Sequence, residues 1–227
     1  MNIRNELFDN ADPEYKEFHT KIVSDRSREI IGVRMPVLRG MSKRICKGEW
    51  QSFLDEPVEY HEECMLKALV IANAKMSFDE RLELTKKFMP EINNWALCDI
   101  FCGDWAVKDA DKERLWDYCM ELIEIDDEFM MRVAAVMMLD HFLDDEHIDK
   151  VLDLLTMKYH PGYYYKMGAA WTLSYCYIKY PDKTEPMLFR DSLDSEIRNM
   201  SVQKISDSFR VSAEDKKRLK EQKKKLS

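Results

Sequence analysis

Apolar positions along this chain recur at helical spacing. Residues 14–24 (EYKEFHTKIVS) set Tyr15, Phe18, His19 and Ile22 on one face of a helix. Pro36 opens a second helix running to about Ile45, where its missing N–H costs nothing. Residues 59–73 (EYHEECMLKALVIAN) become strongly apolar in their second half, and residues 79–88 form another amphipathic segment. Residues 93–102 (NNWALCDIFC) predict a helix with Gly103 as its C-cap. Asp111 is expected to cap a helix running to about Ile123. Residues 127–143 are apolar nearly all round, which predicts a central helix. Asp144 is expected to start the next, to about Lys158, before His160, Pro161 and Gly162 break the chain. A long helix is predicted from Tyr163 to Tyr180, Pro181 stops it, and three shorter helices finish the chain.

No segment shows convincing strand alternation. With 6 Gly and 7 Pro against 15 Met in 227 residues, the composition favours helix over sheet. The links between helices are short, as for antiparallel neighbours. Helix pairs return at roughly 35 to 45 residues, the period of HEAT-like stacking. The expected fold is therefore all-α, a HEAT-like solenoid of curved helix pairs with a concave face. It would be a single domain over residues 1–227, with a basic helical tail at about 215–227. An irregular helical bundle is the alternative.

Composition and charge narrow the class. Hydrophobic residues are 45% and charged residues 34%, a globular balance. No apolar run reaches the length of a membrane span, about 18 residues. The first residues lack the apolar stretch of a signal peptide, so a cytoplasmic location is expected. The six cysteines (46, 64, 98, 102, 119, 176) then read as reduced, mostly buried thiols. Cys98 and Cys102 are four apart, but no second ligand pair accompanies them, and no metal or cofactor is expected. The five histidines form no pair at metal spacing. The net charge of -8 is unusual for a nucleic-acid binder. It is unevenly spread: residues 215–227 hold seven Lys/Arg and two acids, or +5, so the other 214 residues carry -8 less +5, or -13. The basic tail reads first as a solvated helix end, and second as an auxiliary phosphate contact.

Four residues are candidates for chemistry. Trp95 and Asp99 are four apart and share a helix face. Arg132 lies within MMRVAAVMM, where an unpaired charge is costly to bury. Trp171 lies within MGAAWTLSY, where small neighbours leave its ring room. Each has an ordinary explanation as well: Trp as core anchor, Asp as cap, Arg as ion-pair partner of Asp99 or Asp140. Taken together, a carboxylate among aromatic faces can stabilise a developing cation and orient a water. A nearby cation can hold a backbone phosphate.

The sequence resembles the AlkD family of DNA alkylation-repair glycosylases. The resemblance runs through GVRMPVLRGMSKRI (32–45), HEECMLKALVIANAK (61–75), NNWALCDIFCGD (93–104), RVAAVMMLDHF (132–142) and YYYKMGAAWTLSYCYIKYP (163–181). It implies that Asp99 is catalytic, that Trp95 and Trp171 are active-site aromatics, and that Arg132 grips DNA. It also implies hydrolysis of the N-glycosidic bond of cationic N3- and N7-alkylated purines while the base stays stacked. The expected partner is double-stranded DNA carrying alkylated bases, met by a monomer without metal or membrane. Arg34, Arg39, Lys43, Arg44 and Lys166 are further candidates for meeting phosphates, with Arg39 and Lys43 four apart. One of Tyr163, Tyr164 and Tyr165 is a candidate to line the cleft. The absence of an evident Schiff-base lysine predicts a monofunctional enzyme. The competing expectation is a non-catalytic helical-repeat scaffold that binds DNA or protein.

Overall fold

The computed structural model describes residues 2–23 and 27–226, and among them it is helical with no strand. The chain divides into two compact units, residues 1–112 and 113–227. The first unit holds α1 (Ile3–Asp9), α2 (Pro13–Ile22), α3 (Met35–Ile45), α4 (Trp50–Asp55), α5 (His61–Asn73), α6 (Phe78–Phe88) and α7 (Trp95–Asp104). The second runs from α8 (Lys112–Ile123) through α9 (Glu128–His141), α10 (Ile148–Met157), α11 (Tyr163–Lys179), α12 (Pro181–Leu188), α13 (Ser195–Asp207) and α14 (Ala213–Lys225).

Alternate helices stack on one another. In the first unit α3 packs on α5 and α5 on α7; in the second α9 packs on α11 and α11 on α13. α10 packs on α12, forming a second series behind the α9–α11–α13 row. This alternation of neighbours is what repeated helix pairs produce, and it agrees with the helical-repeat expectation. α5, α9 and α11 are the most enclosed helices; nine consecutive residues of α9, from Met131 to Leu139, are buried. That burial explains why the segment is apolar on all sides.

Several boundaries differ from expectation for local reasons. Gly103 is not a C-cap: α7 continues through it to Asp104, and the cap position is Trp105. Asp144 does not begin α10. Its carboxylate accepts from the backbone N–H of Glu146 and His147, capping a turn that precedes the helix. Pro181 ends α11 and is itself the first residue of α12. α1 and α4 have seven and six residues, too short to show a period. The expected tail coincides with α14, and its last position, residue 227, lies outside the described residues, as does residue 24 of the helix expected over 14–24.

One junction organises the first unit. Gly32 has φ +100°, a left-handed conformation that side chains disfavour. The fully buried carboxylate of Glu62 accepts from the backbone N–H of Ile31 (2.9 Å), Gly32 (2.7 Å) and Val33 (3.1 Å). Three charge-assisted bonds satisfy both the buried charge and three loop donors that no helix serves. Gly32 in turn accepts from the backbone N–H of Asp12 at 3.0 Å.

Candidate active site

Trp95 is the first residue of α7. The side chain of buried Asn94 caps that helix, accepting from the Leu97 N–H at 3.0 Å. The indole Nε1–H of Trp95 donates to the carbonyl of Ile22 at 3.0 Å, and its ring packs on Val23, Ile30 and Ala96. The ring is therefore held at both ends, by a hydrogen bond and by apolar contact. Asp99 lies one turn further along the same face. Trp95, Asp99 and Ile100 are half-buried, whereas Ala96, Leu97, Cys98, Phe101 and Cys102 face the core. The two candidate residues thus share the half-buried face of α7, with Trp95 backed by Val23, Ile30 and Ala96.

The three arginines in and just before α3 are engaged in ion pairs. Arg34 meets Asp12 at 2.7 Å with its guanidinium over the Tyr15 ring. Arg39 meets Asp104 at 2.7 Å, and Arg44 meets Glu6. Lys43 is exposed. The expected pairing of Arg39 and Lys43 toward phosphates therefore starts from an Arg39 already tied to the end of α7.

In the second unit, Arg132 is 3% exposed and donates through Nη1 to the carbonyl of Tyr164 at 2.7 Å. A Cβ added to Gly168 would lie 3.1 Å from Arg132 Cγ and 3.5 Å from its Nη1. The small residue at 168 therefore makes room for Arg132, where the sequence had pointed to the Trp171 ring. Two other buried arginines show an ordinary structural use. Arg81 donates to the carbonyls of Ile71 and Ala74 near the C-terminus of α5, and Arg198 to those of Leu188, Arg190 and Leu193 beyond α12. Both cations sit where a helix dipole welcomes them. Arg132 instead reaches a carbonyl in the first turn of α11, where the dipole does not.

Lys166 is also buried. It is bonded to Glu196, which raises its pKa, and lies 5.4 Å from the Tyr159 ring centre. Trp171 is half-buried with one side open to a cavity of about 430 Å³. Tyr175 meets it edge to face at 6.2 Å and 84°. Of the three tyrosines that open α11, Tyr165 is buried, Tyr164 stacks on Phe129, and Tyr163 is exposed.

One further group escaped sequence spacing. Buried His147 is held by Asp144 at Nδ1 (2.8 Å) and Glu113 at Nε2 (3.1 Å), and Glu146 joins His147 and Glu113 in a group whose donor atoms lie within 4.8 Å. Glu113 and His147 stand 34 positions apart and meet only through the fold. All six cysteines are free, and burial pushes the thiols of Cys119 and Cys176 upward, the latter to about 12. Such thiols are poor nucleophiles and poor ligands.

A family of DNA alkylation repair enzymes matches this chain over residues 3–203, which takes in every candidate above. The chain belongs to that family. A comparison with curated proteins finds no match. Membership in a DNA alkylation repair family makes DNA the substrate class and gives the Trp95–Asp99 face a reaction to be judged against. The turn after α13 and the whole of α14 lie beyond residue 203, outside the matched part of the chain.

Proposed function

We propose that this DNA alkylation repair enzyme is a monofunctional, cytoplasmic glycosylase. It hydrolyses the N-glycosidic bond of cationic N3- and N7-alkylated purines in duplex DNA without flipping the base. The observation that supports this best is the pairing of Trp95 with Asp99, one helical turn apart, on the half-buried face of α7.

The chemistry needs little more than that pair. When the C1′–N9 bond breaks, its electron pair neutralises the cationic base, so no general acid has to protonate the leaving group. Positive charge develops on the sugar. The Asp99 carboxylate stabilises it and takes a proton from the water whose oxygen bonds to C1′. An indole face attracts the same charge, and the hydrogen bond to Ile22 holds that face in place before substrate arrives. The products are a neutral alkylpurine and an abasic site. Trp171 and Arg132 carry the roles of second aromatic and DNA grip by resemblance. The burial of Arg132 makes it, in addition, an organiser of the α9–α11 junction.

The test is release of 7-methylguanine or 3-methyladenine from alkylated duplex DNA. Asp99→Asn is expected to slow release by about 10²-fold or more while circular dichroism is unchanged. A wild-type protein that releases neither base, with Asp99→Asn indistinguishable from it, would sink the glycosylase reading.

A further inference from the structure

In the second unit, α8, the end of α9 and the turn before α10 converge on one imidazole. His147 immediately precedes α10 and is 2% exposed. Its ring packs against Trp116 of α8 and Phe142 beyond α9, with ring centres 4.8 and 5.0 Å away. One oxygen of Asp144 meets Nδ1 at 2.8 Å and accepts from the His147 backbone N–H at 3.0 Å. The imidazole is thus fixed in place and in orientation. Its Nε2 is directed at Glu113 Oε1, 3.1 Å away in the first turn of α8. Donor atoms of Glu113, Glu146 and His147 all lie within 4.8 Å of one another.

A carboxylate accepts hydrogen bonds and does not donate them. Asp144 therefore places a proton on Nδ1, and a neutral ring then turns the Nε2 lone pair toward Glu113, a second acceptor. A further proton on the ring offsets one negative charge. Among the described residues neither Glu113 nor Glu146 pairs with a lysine or arginine, so two carboxylates share this nitrogen. A divalent cation offsets both charges and uses the Nε2 lone pair. Metal-ligating histidines are commonly held in this way, with the other ring N–H given to a carboxylate. We propose that His147 Nε2, Glu113 and Glu146 form a binding site for a zinc-class divalent cation, with Asp144 as the positioning partner of the imidazole. One imidazole and two carboxylates suit zinc, and three protein ligands leave its fourth position to water. Ligand atoms around a tetrahedral zinc stand about 3.3 Å apart. The Nε2–Oε1 pair already has that spacing, and exposed Glu146 has only to turn its side chain. The ion clips the start of α8 to the start of α10. Sequence spacing predicted no metal because Glu113 and His147 stand 34 positions apart. The site is independent of the glycosylase reading, since it shares no residue with the Trp95–Asp99 face.

Zinc can be titrated into the full chain, stripped beforehand with a chelator, against a chromogenic competitor, and thermal unfolding followed with and without the ion. One zinc per chain is expected, and about a hundredfold excess over Kd should raise the unfolding midpoint by about 5 °C or more. Glu113→Gln and Glu146→Gln, at exposed positions, should unfold as metal-free wild type does and bind zinc at least about tenfold more weakly. Cobalt in place of zinc should give visible bands of nitrogen and oxygen ligation without the near-ultraviolet band of a thiolate site. Equal zinc affinity in wild type and both variants, a thiolate band, or no zinc binding would each overturn the site. The last result would leave a buried imidazolium held by carboxylates.

Discussion

Gly32 shows how much a single position can carry. Its φ of +100° already disfavours a side chain, and an added Cβ would fall 2.6 Å from Lys16 Cβ and 2.8 Å from the Asp12 carbonyl. The second of these atoms is backbone and cannot turn aside. Gly32 also links Asp12 to Glu62, since its carbonyl accepts from one residue and its N–H donates to the other. Gly32→Ala is therefore expected to cost about 3 kcal/mol, the sum of a left-handed penalty and overpacking. Arg34, two residues on, pairs with Asp12 at an exposed site, and Arg34→Ala should cost under about 1 kcal/mol. Urea unfolding of the two variants checks the contrast. Equal midpoints would show that the glycine is not a structural requirement. The segment from Gly32 to Ile45 that resembles the AlkD family thus has a folding role at its first residue.

At the scale of elements, α9 and α11 cross where Arg132 passes Gly168. Gly168→Ala gains helix propensity of roughly 1 kcal/mol but places a methyl group against Arg132 Cγ. Stability should stay within about 1 kcal/mol of wild type, while base release falls because the guanidinium is displaced from the Tyr164 carbonyl. Thermal unfolding beside a single-turnover assay separates the two effects; unchanged release would detach Arg132 from function. The helices themselves were legible in the sequence where they ran for ten residues or more, α3 and α8 by their periodicity and α9 by its unbroken apolar run. α1 and α4 were not, since one or two turns hold no repeat. Gly103 misled because glycine is tolerated within a last turn as well as after it. In the site, the Trp95–Asp99 face could be read directly, since helix geometry fixes what lies four residues apart. The ion pairs of Arg34 and Arg39 could not, because Asp12 and Asp104 stand 22 and 65 residues away.

At the scale of the whole molecule, charge sets the problem of binding DNA. The chain carries -8 overall, and Arg34, Arg39 and Arg44 are neutralised by Asp12, Asp104 and Glu6. Lys166 is neutralised by Glu196. Positive charge is concentrated instead in α14. That helix is fastened to its own unit by buried Leu219 and by Arg218, which bonds to Glu185 and the Tyr177 hydroxyl. Lys220, Lys224 and Lys225 stay exposed. Anchoring through Arg218, Leu219 and Gln222, whose amide donates to Glu185 at 2.8 Å, lets these lysines meet phosphate without disturbing the fold. Replacing Lys220, Lys224 and Lys225 together with Gln should therefore leave the unfolding midpoint unchanged. It should weaken binding equally for alkylated and unmodified duplex, since phosphate contacts carry no sequence information. The salt slope should fall by about 0.9 for each contact removed, and release at saturating DNA should be unaffected. A triple variant with the wild-type slope would show that α14 is a solvated face and that the grip on DNA lies elsewhere in this acidic protein.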